Sequence, residues 1–263
     1  MIDFFGMKGV PFTREIASHQ LFNSSSYKEA SARLEFAVQH RQFCLLTGEA
    51  GMGKSTAVRG LVQQLDSIHY RYLYICDSGL TPKLFYREVL QCFGIQPAFR
   101  ATEAKRQYQA LMLDIYENEK KIPVIILDEA HHFSESMLQE LRFILNFKED
   151  SMSPLSLIIV GQQSLRNQLK VKHMEAIEQR IQMRYQMVAL TETETSSYIQ
   201  HQLKAVEAPN EVFSEEAIQA IYEYSKGIPR KINTYCSSSL MDARLQDNKI
   251  VGKSHVDRVM NEM

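Results

Sequence analysis

Apolar and polar positions change their spacing along the chain, and this separates two kinds of segment. Short apolar runs, typical of strands buried on both faces of a parallel sheet, alternate with longer segments in which apolar residues recur every three or four positions, as on one helix face. The runs predict strands at residues 43–47, 71–76, 124–129 and 155–162. This alternation predicts an α/β fold with a parallel sheet between two layers of helices.

Beyond residue 191 the chain shows only helical spacing, with no apolar run typical of a strand. We therefore expect an α/β domain at 1–190, which opens with an irregular aromatic segment, and a small all-helical lid at 191–263. Ser26 and Glu29 are spaced as in a capping box and predict the start of an early helix. Later helices are predicted at 54–65, 82–93, 105–118, 134–146, 192–206, 214–224, 230–244 and 253–262.

Composition limits the classes of protein that this chain can belong to. Its 263 residues are 44% apolar, which suffices for a packed core. The net charge of -1 arises from 30 basic and 31 acidic residues, so any nucleic-acid surface must be a local basic patch. The 4 cysteines form no C-x-x-C pair, and we expect three of them to be buried and all to be reduced.

The amino terminus and the apolar runs bear on location. No apolar stretch approaches the roughly 20 residues that cross a bilayer, and the first residues lack the basic-then-apolar pattern of a signal peptide. We therefore expect a cytoplasmic protein without a membrane partner.

A phosphate-binding motif follows the strand predicted at 43–47. Residues 48–55 read G-x-x-x-x-G-K-[ST], in which backbone N–H groups and a helix amino terminus converge on a phosphate. Lys54 reaches the β- and γ-phosphates and Ser55 offers its hydroxyl to Mg²⁺. The motif predicts binding of ATP with Mg²⁺ by Gly48, Glu49, Ala50, Gly51, Met52, Gly53, Lys54, Ser55 and Thr56.

Two carboxylates end the apolar run at 124–129. The carboxyl end of a central parallel strand is where such acids meet a bound phosphate. We expect Asp128 to hold Mg²⁺ together with Ser55, and Glu129 to polarise the attacking water. By itself the segment fits a core strand with an exposed acidic turn equally well, but the phosphate motif favours the catalytic interpretation.

Residues 128–131 also spell Asp-Glu-Ala-His, the box of a helicase class that needs two tandem domains of a size for which this chain has no room. His131 and His132 suggest a metal site, yet we find no cysteine or carboxylate at a ligand spacing that would complete it. The sequence therefore predicts no metal site at the two histidines, which we expect to lie beside the acidic strand end.

The order of these motifs resembles that of the AAA+ ATPases. Five motifs follow one another over nearly the whole chain: the phosphate loop, the acidic strand, a polar residue at the tip of the next strand, an edge arginine and a G-x-P-R segment at 227–230. More narrowly, the opening F-F-G-x-K-x-x-P-F at 4–12 and the pieces at 46–49, 160–162 and 179–181 resemble the ExeA-type ATPases. That group includes TnsC-like and IstB-like transposition helpers.

The resemblance implies roles for four more residues. Gln162, at the tip of a strand inserted between the two nucleotide-binding strands, would sense the γ-phosphate, and Arg230 would reach it from the lid. Arg180 or Arg184 would act as a finger on the nucleotide of the next subunit. We favour Arg180, because Arg184 precedes a short strand and can pair with surface acids; ordinary turn and solvated roles are the alternatives for all four.

Two branches of the group differ in what they act on. Secretion-type ExeA proteins continue into a membrane span and a peptidoglycan-binding region, whereas this sequence ends after the predicted lid, so the resemblance favours the transposition helpers. Those bind double-stranded DNA as rings or filaments and recruit a transposase. A secretion or envelope-assembly ATPase is the alternative, and a replication-initiator or clamp-loader-like switch is a third class.

In the TnsC-like proteins, the loop and helix after the second strand contact the DNA backbone with little sequence specificity. The resemblance implies that Lys83 is the first contact, with Thr81 beside it. Thr102, Lys105 and Arg106, at the start of the next predicted helix, suit a phosphate backbone as well. A solvated, charged helix end is the alternative to which we give nearly equal weight.

Overall fold

The computed structural model describes residues 2–13, 20–209 and 211–262. Contacts divide the chain into two compact units. We call the unit of residues 29–50 and 54–187 the sheet unit, and the unit of residues 1–28, 51–53 and 188–263 the helical unit. The functional division at residue 190 stays a prediction.

A parallel five-stranded sheet forms the centre of the sheet unit. Its strands are β1 (Phe43–Thr47), β2 (Tyr70–Ile75), β3 (Ile122–Leu127), β4 (Ser156–Gly161) and β5 (Met183–Gln186). Their order across the sheet is β2-β3-β4-β1-β5, and all neighbours are parallel. The predicted fold class is confirmed, with β4 inserted between β1 and β3.

Helices connect these strands and make up the other unit. The early ones are α1 (Ile2–Phe5), α2 (Ser25–Gln39), α3 (Lys54–Gln64), α4 (Pro82–Cys92), α5 (Ala101–Glu117) and α6 (Glu135–Ile144). The later ones are α7 (Gln163–Leu169), α8 (Glu175–Glu178), α9 (Glu192–Ala205), α10 (Glu215–Ser225), α11 (Pro229–Leu245) and α12 (Lys253–Glu262). Among the described residues, no helix combines the length and apolar character that crossing a bilayer requires.

Alternation along the central strands builds the core of the sheet unit. Every residue of β1 and β4 is buried, as expected of strands covered on both faces. Leu45, Ile125 and Ile159 point into one cluster with the apolar faces of α4 to α8. Because successive side chains alternate across a strand, the residues directly before and after each of these three face the opposite side of the sheet.

Three sequence predictions differ from the structure: the cap of α2, the start of α5 and the number of buried cysteines. The Ser24 hydroxyl, and not that of Ser26, accepts the Tyr27 N–H at the start of α2, since the Ser26 hydroxyl accepts the Val188 N–H. The helix predicted from 105 begins at Ala101. Only two cysteines are buried, because those at 76 and 92 are exposed.

The helical unit has its own core. Phe5 and Phe12 of the aromatic opening are buried in it, and the Phe12 ring meets that of Phe213 edge-on, so the opening segment packs on helices of this unit. Thr191 and Glu194 form a complete capping box at α9. Gly227 has a φ of +73°, and its carbonyl accepts the Leu190 N–H at 2.9 Å.

Gly227 leads to a stability prediction. A Cβ at this position would collide with the Leu190 carbonyl, and the left-handed backbone adds strain. Gly227→Ala should lower the free energy of unfolding by more than about 1 kcal/mol, measured by urea denaturation. Gly94→Ala is the control, because Gly94 has a φ of +78° but no atom within 4 Å of an added Cβ. Equal losses in the two variants would contradict a role for the collision.

Candidate nucleotide-binding site

The phosphate motif forms the loop between β1 and α3. Lys54 is the first residue of α3, and it is buried, with 7% of its surface exposed. Its Nζ donates to the carbonyl oxygens of Gly48 and Glu49 at 2.9 and 3.0 Å. A buried ammonium group held by carbonyls at a helix amino terminus creates a strongly positive locus, which suits a polyphosphate.

Two glycines give the loop its shape. Gly51 and Gly53 have φ values of +86° and +92°, a region that other residues rarely adopt. By its contacts, Gly51 belongs to the helical unit, and its carbonyl accepts the Arg230 backbone N–H at 3.2 Å. A Cβ on Gly51 would lie 2.7 Å from the Arg230 Cβ, so this close approach requires glycine.

Asp128 lies directly after β3 and is 1% exposed. Its Oδ2 accepts the Ser55 hydroxyl at 3.2 Å and the Tyr74 hydroxyl at 2.8 Å, and its Oδ1 accepts the Glu129 N–H at 2.7 Å. Partial burial and the Asp128 carboxylate raise the pKa of the Tyr74 hydroxyl, which therefore stays protonated and donates. The structure thus brings together Ser55 and Asp128, the two residues expected at Mg²⁺.

These two residues fit a magnesium ion. Mg²⁺ prefers hard oxygen ligands and is usually bound by one or two protein oxygens together with phosphates and water. Ser55 and Asp128 offer a hydroxyl and a carboxylate oxygen 3.2 Å apart, and the buried Lys54 directly precedes Ser55 in α3. The donor set therefore suits a Mg²⁺ ion bound together with a nucleotide.

Glu129 occupies a strained backbone position. Its φ and ψ are 54° and 29°, in the left-handed region that a residue with a side chain adopts at a cost of about 1–2 kcal/mol. Its carboxylate is 41% exposed, in contrast to the buried Asp128. The chain turns sharply after β3, and an accessible carboxylate is thereby placed beside a buried one.

The two histidines follow in a short 3-10 turn, Ala130–His132. His131 Nδ1 lies 3.4 Å from Glu129 Oε2, and ligand atoms of Glu129, His131 and His132 all lie within 4.8 Å of one another. Burial and the neighbouring His132 lower the pKa of His131. The prediction that no carboxylate lies at ligand spacing from the histidines is therefore wrong, because the left-handed backbone of Glu129 brings its side chain back to them.

Gln162 follows the last residue of β4 and precedes α7. Since β4 lies between β1 and β3, Gln162 is at the predicted strand tip. The end of β4 packs against the 3-10 turn that contains His131, since a Cβ added to Gly161 would lie 3.2 Å from the His131 backbone nitrogen. Its role as a sensor stays a prediction.

Arg180 and Arg184 lie at the edge of the sheet, before and within β5. The Arg180 guanidinium donates to both carboxylate oxygens of Asp150, and this hydrogen bonding lowers the pKa of Asp150. Arg184 is paired as well, with Glu178 Oε1 at 3.0 Å. The preference for Arg180 thus loses its reason, since both arginines pair with an acid of their own chain.

The candidate DNA contacts gather where the first turns of α4 and α5 are neighbours. Lys83 Nζ lies 5.2 Å from the ring centroid of Phe99, which is 90% exposed. Thr81 caps α4 by accepting the Leu84 N–H. Thr102 and Arg106 are exposed in the first two turns of α5. Sequence reasoning missed Phe99, because an isolated aromatic in a loop carries no local signal.

Lys105 differs from the other cations of this surface. Its Nζ donates to Glu140 Oε1 at 2.7 Å and lies 4.1 Å from the Phe143 ring centroid. Its charge is therefore already compensated within the sheet unit. Of the three predicted cation contacts, Lys83 and Arg106 are the exposed ones.

The phosphate loop, the inserted β4 and the two carboxylates after β3 define a nucleotide-binding P-loop protein. A family model described as an AAA domain matches residues 37–169, half of the chain. The chain belongs to this AAA domain family of P-loop ATPases.

A curated relative and two solved structures are also similar. General secretion pathway protein A of Aeromonas hydrophila is 31% identical over 243 residues, which cover 91% of this chain but 44% of that protein. Cdc6p from Pyrobaculum aerophilum has a TM-score of 0.70 at 16% identity, covering 91% of this chain and 67% of that one. Drosophila ORC bound to DNA has a TM-score of 0.71 at 17% identity, covering 96% and 64%. At these identities the two structures bear on the fold alone.

Tyr74 supplies a prediction about the metal dependence of the site. Tyr74→Phe removes one of the three donors that hold the Asp128 carboxylate, so its Oδ2 is oriented less firmly beside Ser55. The apparent affinity for Mg²⁺, measured by Mg²⁺ titration of fluorescent-nucleotide binding, should fall about tenfold. Nucleotide affinity in excess chelator should not change.

Tyr72→Phe is the matched control. Tyr72 lies two residues earlier on the same strand face, and the two tyrosines are 45% and 41% exposed. A similar loss of Mg²⁺ affinity in both variants, or in neither, would refute the positioning role of Tyr74.

Proposed function

We propose that the chain is a Mg²⁺-dependent ATPase that self-associates on double-stranded DNA and regulates transposition. The observation that carries the ATPase part is the cluster of buried Lys54, Ser55 and buried Asp128 beside the accessible Glu129. The buried Asp128 carboxylate is suited to bind a metal ion, and the accessible Glu129 carboxylate is suited to accept a proton from water. The DNA and assembly parts rest on other surfaces of the sheet unit.

Within one subunit, each residue has a distinct task in hydrolysis. The loop amides and Lys54 hold the β- and γ-phosphates, and Ser55 and Asp128 hold the magnesium ion that neutralises charge on them. Glu129 orients the attacking water and accepts its proton. Gln162 and Arg230 respond to the γ-phosphate.

The second half of the site comes from a neighbouring copy. Arg180 and Arg184 both lie at the β5 edge of the sheet unit and are partly exposed, at 22% and 42% of their side chains. A guanidinium group delivered from there to the next nucleotide would stabilise the charge of the transition state. Ring or filament formation then couples ATP binding to assembly.

Mixing two inactive variants tests this shared site. Lys54→Ala should abolish ATP binding, and Arg180→Ala should remove the finger, so each protein alone should be inactive. A mixture contains interfaces in which an intact Arg180 faces an intact Lys54, and steady-state phosphate release should return to a substantial fraction of wild type. Arg184→Ala, mixed in the same way, tests the competing arginine. If neither mixture regains activity, the shared site is refuted.

Double-stranded DNA is the proposed surface for assembly. Two cations and two hydroxyls lie around the starts of the neighbouring helices α4 and α5, and such groups suit a phosphate backbone. They belong to Lys83, Thr81, Thr102 and Arg106. The exposed Phe99 ring adds an apolar group for sugar or base contact. Contacts of this kind read the backbone with little sequence specificity, as expected of a helper that recruits a transposase to many targets.

A secretion or envelope-assembly ATPase that works with a membrane partner is the second candidate. The 31% identity to general secretion pathway protein A, over 91% of this chain, favours it. Since the chain spans less than half of that protein, the point at which the sequence ends does not decide between the candidates. ATP hydrolysis that rises with added duplex would support the transposition role, and a rate indifferent to duplex would support the secretion role.

Lys83 provides the residue-level test of DNA binding. Lys83→Ala should weaken binding to duplexes of different sequence by a similar factor. It should also reduce the slope of log affinity against log salt by about 1, because one phosphate contact is lost. Fluorescence anisotropy at several salt concentrations measures both. Lys172→Ala is the control, since Lys172 is also exposed in the sheet unit; an equal effect of both variants would contradict a local contact.

A further inference from the structure

A second cluster of potential ligands lies beside the nucleotide site. Glu129, His131 and His132 each offer one ligand atom, and these atoms lie within 4.8 Å of one another. The cluster is built within four consecutive residues, because the left-handed backbone at Glu129 and the 3-10 turn after it fold the chain back on itself. None of the tasks proposed for the ATPase reaction uses either histidine.

His131 provides an independent observation. Its side chain is only 6% exposed, yet neither ring nitrogen makes a hydrogen bond to any residue in the described part of the chain. Burying polar atoms without partners costs free energy, so such atoms need an explanation. The Nδ1 atom faces Glu129 Oε2 at 3.4 Å, which is longer than a good hydrogen bond.

We propose that Glu129, His131 and His132 bind one divalent transition-metal ion such as Zn²⁺. Ligand atoms about 2.0–2.1 Å from a zinc ion at tetrahedral angles are roughly 3.3 Å apart. The 3.4 Å between His131 Nδ1 and Glu129 Oε2 matches one edge of that tetrahedron. His132 is exposed, so its ring can turn the remaining distance at little cost.

The ligand chemistry selects against the magnesium ion of the nucleotide site. Imidazole nitrogens suit zinc, copper, nickel and cobalt, whereas Mg²⁺ prefers oxygen ligands in an octahedral arrangement. Three protein ligands leave a fourth position open to water, in contrast to the four protein ligands of a closed structural site.

Occupation would have a direct consequence for hydrolysis. Coordination of one carboxylate oxygen to a divalent cation withdraws charge from the whole Glu129 carboxylate and fixes its orientation, so that it becomes a much poorer base for the attacking water. Zinc binding should therefore inhibit ATP hydrolysis by competing for Glu129. This consequence rests on the proposed function, whereas binding of the metal does not.

The experiment uses Co²⁺ as a spectroscopic probe of the full chain after removal of metals. Wild type should bind one Co²⁺ per chain with visible absorption bands of tetrahedral intensity, and Zn²⁺ should abolish these bands. His132→Ala, which changes an exposed side chain, and Glu129→Gln should each weaken Co²⁺ binding at least tenfold. His131→Ala should do the same, with its fold checked by circular dichroism.

Two controls separate this site from other ligands. His173→Ala removes a histidine from a second His–Glu pair, in which Nε2 lies 3.1 Å from Glu135 Oε1, and it should leave the absorption unchanged. Cys76→Ser removes an exposed thiol near Asp128 and Glu129, and it too should have no effect. Absent bands in wild type, bands unaffected by His132→Ala, or bands lost with Cys76→Ser would overturn the proposal.

Inhibition is read separately from binding. Zn²⁺ should reduce ATP hydrolysis by wild type much more than by His132→Ala. If the Co²⁺ spectra establish the site but Zn²⁺ leaves hydrolysis by wild type unchanged, the metal site stands and the role of Glu129 as the base fails. If the bands are absent while hydrolysis depends on Glu129, the metal site fails and the proposed function stands.

Discussion

The buried carboxylate of Asp128 is the constraint on which the sheet unit depends. At 1% exposure, it must be fully hydrogen-bonded, because an unpaired charge in such a position would cost several kcal/mol. Its three donors come from α3, from β2 and from the turn after β3. These donors converge on Asp128 only if β2 lies next to β3, as it does in the strand order β2-β3-β4-β1-β5. The loop after β1 must also lie at the same end of the sheet as the loop after β3, which follows because the strands are parallel. Strand order and site are therefore stabilised by the same hydrogen bonds, each worth about 1.5–3 kcal/mol for a charged acceptor.

The parts of the fold that the sequence predicts are those with a single dominant driving force. β1, β3 and β4 are buried on both faces and appear as apolar runs. The short edge strand β5 alternates between half-buried and exposed residues and lacks such a run, so its bounds were not predictable. The cap of α2 differs from the predicted one for another reason. Ser24 and Ser26 are equivalent in local pattern, and only the Val188 N–H, 162 residues away, distinguishes them by taking the Ser26 hydroxyl.

The same distinction applies to the candidate site. The phosphate loop and the two acids are local patterns, and the structure brings Ser55 and Asp128 together as expected. Tyr74 reaches Asp128 from a neighbouring strand, a contact that depends on sheet order and register, which the apolar pattern does not specify. The Glu129–His131 approach requires a left-handed residue at a glutamate, where the default expectation is a right-handed or extended backbone. Long-range order and local strain are therefore what sequence reasoning could not supply.

The pairing of Arg180 with Asp150 bears on how assembly could be controlled. Asp150 is half exposed, and it is the third of three consecutive residues with left-handed backbone, Lys148–Asp150. Exposed ion pairs contribute only about 0–1 kcal/mol, since water solvates both partners when they separate. The guanidinium can therefore exchange Asp150 for a phosphate at small cost. The phosphate carries more charge than the carboxylate and would meet the guanidinium in a drier interface, where the attraction is stronger. If Arg180 is the finger, its pairing with Asp150 orients the guanidinium in the monomer and is weak enough to be exchanged for the phosphate of a neighbour's nucleotide.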